Sequence, residues 1–380
     1  MPEIWLPYGQ VEIVVDVKAE NLADVIEPSY PSIDSTNLVE RLKDLEVHER
    51  ALIIVEGYND SSLTILSILL DTLGQDVHIL TTKGGLSNVK KLCEGKSIKV
   101  STLSGVAGVN SIVDGIEIRI PSIFSDFDTK ILISEATFDP LFGFRGGPIT
   151  LLTILDDRLI GEAFKISSYS YPKPGVETEA SKFADKIAEK IDDFISIELV
   201  SHHGGISEIF IGSVVDTHKK ASQKLLEIAK RSLSEPAKAM IVSAGGLNND
   251  LTLASSIKCL WNVIGGLKEQ GSIVLIAECS QGLGSEALKL YVSGRLDIAE
   301  MIKKGEYIDG LEDLIYLREA LTRYKIQLVS TLPHYYVENV LGLRTARKAG
   351  DALNSILSSH GTRVKIYIVP RGRETLLTLE

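Results

Sequence analysis

At 380 residues, 44% of them apolar and 24% charged, the chain is long enough for two globular domains, each with its own core. A net charge of −11 with no cluster of Lys and Arg argues against a nucleic-acid partner, because such binding rests on neutralising phosphates. No apolar run reaches membrane-span length, and the opening MPEIWLPYGQ has neither a basic region nor an apolar signal core, so a cytoplasmic protein with no membrane partner is expected.

Taken in order, Trp5-Leu6-Pro7-Tyr8-Gly9 precedes Val11 to Val17, which reads as a strand, and Asn37 to Leu45 reads as a helix. Arg50 to Val55 is a buried strand, followed by the polar loop 56–62 and a helix from Leu63 to Leu73. In an open parallel sheet the loops leaving strand C-terminal ends converge on the ligand crevice. Glu56 and Asp60 are therefore candidate catalytic residues, although Asp60 and Ser61 equally suit helix capping. Val77 to Leu80 gives another strand, with Lys83 at the equivalent rim position as a candidate anion contact; lysines there are more often simply solvated. Ile98 to Ser104 and Gly115 to Pro121 read as two further strands.

The stretch Lys130 to Leu155, KILISEATFDPLFGFRGGPITLLTIL, organises the rest. Its apolar run Ile131-Leu132-Ile133 has the character of a strand buried in a parallel sheet. Gly143, Gly146 and Gly147 then surround Phe144 and Arg145, which allows either a tight connection or close backbone approach to a ligand. Arg145 is a ready partner for a carboxylate or phosphate, and Gly146 and Gly147 are grouped with it as anion-binding candidates.

The spacing of Ala180, Phe183, Ala184, Ile187 and Ile191 predicts an amphipathic helix within Val176 to Phe194. Ile195 to Ser201 and Glu208 to Val215 flank His202-His203-Gly204-Gly205. Consecutive strand residues point to opposite faces, so a hairpin turn is favoured over a metal site, and no metal ligands are assigned. A helix from Lys219 to Ser232 ends before Pro236. Ser234-Glu235-Pro236 marks a boundary between an N-terminal domain, 1–233, and a C-terminal domain, 237–370; the tail 371–380 is placed to cross back to the first domain.

The second domain begins with strand Ala239 to Ser243 and the loop Gly245 to Asp250, and its first helix carries Lys258. Strand Ser272 to Ala277 feeds Glu278 to Glu286, where Gly282, Gly284 and Glu286 are candidates for holding an anion on backbone N–H groups; the third glycine of a dinucleotide site is missing. Strand Ile326 to Ser330, helix Thr345 to Leu357 and strand Val364 to Val369 complete it. Cys93, Cys259 and Cys279, odd in number and widely spaced, fit buried thiols and neither a disulfide framework nor a zinc site. Recurrent strand, glycine turn and helix predict an α/β protein of two domains with largely parallel sheets and a ligand cleft between them.

LPYG near the start, LISEATFDPLFGFRGG, SAGGLNND with SSIK, and GSIVLIAECSQGLGSE occur in the order found in the lactate racemase superfamily, which the chain resembles over nearly its whole length. The resemblance implies a nickel-pincer nucleotide cofactor tethered to a lysine, with histidines as acid and base and hydride moving between substrate carbon and cofactor. At the decisive positions this chain departs from that pattern. Where the family's basic dipeptide follows the glycine pair, Pro148-Ile149 stands, and neither can carry the cofactor. The family's histidines fall at Asp139 or Pro140 and near Gly85, a third expected in Phe164 to Tyr171 is missing, and its arginine falls near Asn59 or Asp60. Lys258 is retained, whereas the neighbouring glutamine is Ser255.

Three readings follow. A diverged isomerase of the racemase or epimerase type would use Glu56, Asp60, Lys83, Arg145, Lys258 or Glu286 on a small hydroxy acid or sugar acid without the covalent cofactor. A non-catalytic protein would keep the anion-holding loops alone. A third reading keeps the cofactor non-covalently, with nickel on His334 or another histidine. Each has a small anionic molecule as partner.

Overall fold

The computed structural model describes residues 3–43, 45, 50–73, 76–102, 107–156, 158–167, 171–191 and 193–380. The chain divides into two compact units, one of residues 30–168 and 175–227 and the other of residues 1–29, 169–174 and 228–380. A single cut at 234–236 is thus not the observed division.

The unit of residues 30–168 and 175–227 is built on a six-stranded sheet. Its order is Gly205–Gly212, Ile195–His202, Thr129–Glu135, Arg50–Val55, Asp76–Thr81, Lys99–Ser101. All neighbours run parallel except the first pair, an antiparallel hairpin turning at His203-Gly204. Ile53, Val55, Ile79, Ile131, Ile133, Ile197 and Leu199 line one face and are buried against Leu38 and Leu42 of helix Ser35–Lys43 and Ile65, Leu66 and Leu69 of helix Asp60–Thr72. Each such fully buried side chain contributes about 1.5–3 kcal/mol of transfer free energy. Gly108–Val113 and Ile116–Pro121 form a separate antiparallel hairpin instead of joining the sheet. The ends of two expected elements, residues 103–104 of the strand Ile98 to Ser104 and residue 44 of the helix Asn37 to Leu45, lie outside the described residues.

The other unit carries a parallel sheet ordered Arg344–Ala346, Lys325–Val329, Leu267–Ile276, Ala237–Ser243, Ile366–Val369, Leu22–Val25. The opening residues complete this unit. Glu3–Tyr8 and Val11–Asp16 pair as a hairpin whose Leu6 and Val15, with Val17 beyond, enter a core made by Ile241, Val274, Ile276, Ile366 and Ile368. Leu22–Val25 adds the edge strand. Three buried aliphatic side chains and a ladder of backbone hydrogen bonds outweigh proximity in sequence, which is why 1–29 does not belong with the residues that follow it. Leu376–Leu379 pairs in parallel with Lys230–Leu233 of the same unit, so the tail returns to residues assigned from sequence to the first domain but not to the unit that holds 30–227. Helix Val214–Ala229 starts and ends earlier than Lys219 to Ser232, because Lys230–Leu233 is that strand.

The three cysteines are buried and unbridged, and burial pushes the Cys259 and Cys279 thiols up to about 12. Among the described residues no helix is long and apolar enough to cross a membrane.

Candidate functional site

In the sheet that contains Arg50–Val55, the chain leaves this strand toward Asp76–Thr81 on one side and Thr129–Glu135 on the other, which makes its C-terminal end a topological switch point. Glu56 stands there. Its carboxylate accepts from Arg145 at 2.9 Å, both side chains being half-buried, and Thr150 Oγ1 lies 3.4 Å away. Arg145 also donates to Thr153 at 3.3 Å. Arg145 ends a hairpin of Thr137–Asp139 and Gly143–Arg145, and the helix Gly147–Leu155 supplies both threonines. The guanidinium sought as an anion contact is therefore already engaged by a carboxylate of its own unit. Asp60 is the exposed first residue of its helix; the cap is Asn59, which accepts from Ser62 N at 2.7 Å and donates to Glu135. Lys83 is exposed at the rim.

Gly146 and Gly147 meet something the sequence did not announce. Glu198 lies fully buried on strand Ile195–His202, with its Oε1 2.7 Å from His218 Nδ1 and its Oε2 accepting from Gly147 N at 3.2 Å. A Cβ on Gly146 would stand 2.0 Å from Glu198 Oε1 and 2.4 Å from His218 Nδ1. These glycines give way to a buried acid–histidine pair. Burial alone would lower the His218 pKa, but the Glu198 carboxylate outweighs it and the pKa is raised. His202, by contrast, is spent in its turn: it stacks on Tyr30 at 5.1 Å, Gly204 N donates to its Nδ1 at 3.1 Å, and its Nε2 is 3.1 Å from Ser32 Oγ.

In the other unit the loops after Ala237–Ser243 and Leu267–Ile276 are joined by Asp250. This side chain is fully buried, and its Oδ2 accepts from Gly9 N at 2.7 Å and Glu278 N at 3.2 Å. The LPYG turn is thus clamped to both loops. Gly9, at φ +56°, leaves room for the Glu278 carboxylate 2.3 Å from where a Cβ would sit. Burial raises the Asp250 pKa, with Glu278 adding to it. Gly284 turns against Thr252 at the start of helix Leu253–Val263. The N–H groups of Gln281 and Gly282 already bond Leu251 O and Cys279 O, so they are not available to an anion; Glu286 is exposed as the first residue of its helix. Ser255 is committed to a capping box with Thr252.

Lys258 lies on that helix beside Trp261. Its Nζ is 3.8 Å from Asp313 Oδ2, beyond hydrogen-bond distance, and its side chain keeps 26% exposure. Asp313 Oδ1 accepts from Trp261 Nε1 at 2.9 Å. Next to it on helix Leu311–Arg323, Glu312 accepts from Tyr307 OH at 2.9 Å. Burial, then repulsion from Asp313, pushes the Glu312 carboxyl up to about 8 against the pull of Lys258. A carboxyl titrating near neutrality beside a lysine suits proton transfer. Glu198, His218, Glu312 and Asp313 were missed from sequence. The available signal was an acidic residue, Glu198, flanked by Ile197, Leu199 and Val200 in a strand.

No family model matches the chain. It is 22% identical to the lactate racemase of Thermoanaerobacterium thermosaccharolyticum, with 98% of each protein covered. The solved structure of the lactate racemase apoprotein from that organism superposes with a TM-score of 0.82 at 20% identity, covering 99% of this chain and 100% of that one. A protein from Thermotoga maritima follows at a TM-score of 0.66 and 15% identity, covering 93% of this chain and 100% of that chain.

Proposed function

We propose that the chain, similar over nearly its whole length to a lactate racemase and to the fold of that enzyme's apoprotein, is an isomerase-like enzyme for a small hydroxy acid or sugar acid, working without the covalently tethered nickel-pincer cofactor. The cofactor does not suit the residues present. Ile149, where the tethering lysine would stand, is fully buried, and the glycine step before it is filled from below by Glu198 and His218. At Gly85, near which one of the family's histidines falls, a Cβ would lie 2.0 Å from Glu56 O, so no side chain is accommodated at that glycine. Another of those histidines falls at Asp139 or Pro140; Asp139 closes its own turn by accepting from Leu141 N and Phe142 N, each at 2.8 Å, and proline offers no ligand. No step is derived through nickel or the pincer ring.

The observation that carries the proposal is Lys258. Its ammonium, held near Asp313 but not hydrogen-bonded to it, keeps donors for a ligand carboxylate, and the Glu312 carboxyl, which feels its charge, is poised to exchange a proton. Incubating the protein with single enantiomers of lactate, glycerate and gluconate in D2O tests this by NMR. Deuterium appearing at the α-carbon supports the isomerase; ligand binding with no exchange at any pH between 6 and 9 sinks it.

A second reading has its own support. Glu56 and Arg145 satisfy each other, so two of the charged candidates are held in a structural pair. That favours a carboxylate-binding protein without turnover, the outcome in which lactate or a sugar acid binds and nothing exchanges.

A further inference from the structure

In the unit that contains residues 228–380, the carboxyl ends of the parallel strands carry the loops described above, and the amino ends carry a second group of polar side chains. Ala237–Ser243, Leu267–Ile276 and Lys325–Val329 are neighbours there, and their register sets Ser272 opposite Ala239 on one side and Lys325 on the other. Residues paired in register point to the same face of a sheet. Helix Ala349–His360 covers that face, its Ala352, Leu353 and Ile356 packing with Ala239, Val274 and Ile276. Its last residue, His360, therefore reaches the sheet edge, where its Nε2 lies 2.7 Å from the Oγ of Ser272, a residue only 7% exposed.

The surroundings of this pair are positive. Burial, then the ammonium groups of Lys325 and of Lys238, the residue before Ala239, hold His360 below the ordinary histidine value, so its imidazole is neutral at pH 7. Among the described residues neither lysine has an ion-pair partner. Glu269, the carboxylate three residues before Ser272, accepts from Arg323 Nε at 2.9 Å and is spent there. The carbonyl end of helix Ala349–His360 contributes about half a negative charge, well short of two ammonium groups. Whichever tautomer is present, the neutral serine–histidine pair holds two donor hydrogens and consumes one between its members.

We propose that Lys238, Lys325 and the Ser272–His360 pair form a binding site for a phosphate group, free or carried on a small monoester, at the amino edge of this sheet. A phosphate carries about −1.5 to −2 charge near neutrality and three acceptor oxygens, which matches two ammonium groups and one remaining neutral donor. A monocarboxylate would balance one lysine and leave the other. The site lies at the strand ends opposite the loops after Ala237–Ser243 and Leu267–Ile276, so it is independent of any chemistry at Lys258.

Isothermal titration calorimetry of the full chain with inorganic phosphate and with methyl phosphate, at ionic strength fixed by sodium chloride, tests this. One anion per chain should bind saturably to the wild type. Lys325→Gln and Lys238→Gln should each weaken binding by about tenfold, the loss of one charge-assisted contact. Lys303→Gln removes the same charge from an exposed position on helix Ile298–Lys304 and should leave the Kd within about twofold. Methyl phosphate binding as well as phosphate assigns the site to monoesters, and its rejection by about tenfold assigns it to the free ion. No saturable binding of either probe by the wild type overturns the proposal. So does binding that Lys325→Gln and Lys238→Gln leave unchanged, or that Lys303→Gln weakens equally. The wild-type isotherm needs no variant, so a misfolded lysine variant does not shield the proposal.

Discussion

The carboxylate of Glu198 and the imidazole of His218, 2.7 Å apart and both buried, lie directly beneath the Gly146-Gly147 step. Breaking such a pair strands a charge in the interior, so Glu198→Gln should cost about 3–5 kcal/mol of stability. Gly146→Ala should destabilise as well, since its methyl would overlap the pair. Urea unfolding of both variants checks this, and a loss below about 1 kcal/mol for Glu198→Gln would show the pair to be dispensable.

The same pair sets a pH dependence. The folded-state pKa of His218 is raised, so its stabilisation is fully present below the ordinary histidine value near 6.5 and is lost as pH climbs through the higher folded value. Asp185 and Lys219, with opposite signs, also face it. Thermal melts between pH 6 and 9 should show a steeper fall in Tm for the wild type than for a Glu198→Gln/His218→Gln double variant.

Glu312 acts in the same pH direction by a different route. Its folded pKa lies above the 4.5 of the unfolded chain, so holding the proton costs nothing at pH 4 and destabilises the fold progressively from about pH 4.5 to pH 8. Glu312→Gln should therefore be neutral at pH 4 and stabilising at pH 9. The gain is on the order of 1 kcal/mol, below the full-burial figure because the side chain is partly exposed. Equal stability of the two proteins at pH 9 would contradict the raised pKa.

Arg145→Ala gives a result opposite to the one expected from sequence. With the guanidinium spent on Glu56, anion affinity should stay within about twofold while stability falls by about 1–3 kcal/mol, from the uncompensated Glu56. A tenfold loss of lactate affinity with stability intact would restore Arg145 as a ligand contact.

Ile149→Lys restores the family residue by name but not by place. A lysine at a fully buried position should destabilise by more than about 3 kcal/mol, and intact-mass analysis after co-expression with pincer-cofactor synthesis enzymes should show no adduct. An adduct of cofactor mass would show that this helix can open.

Strands such as Arg50–Val55 and Thr129–Glu135 and the helix Glu179–Lys190 were legible in sequence because their apolar periodicity is local. The partnering of charges was not. Arg145 finds Glu56 across 89 residues, and Lys258 finds Asp313 across 55, distances over which no spacing rule operates. Glu198 was hidden for a related reason: the alternation Ile195-Ser196-Ile197-Glu198-Leu199 reads as a strand with one solvent face, and it is the Gly146-Gly147 step and the helix bearing His218 that make Glu198 an interior group. The assignment of 1–29 failed because a hairpin carries no local mark of the sheet it will cover.

That arrangement sets an order of assembly during synthesis. Residues 30–227, apart from the short excursion 169–174, contain everything their unit requires and can fold while translation continues. The first 29 residues leave the ribosome before any of them, yet their partners Ile366–Val369 emerge more than a hundred residues after that unit is complete. Leu6, Val15 and Val17 must wait, exposed, while the residues between them and Ile366 are made. A segment made before residues 30–227 is therefore buried after them, and a chaperone with affinity for short extended apolar peptides has a long opportunity there.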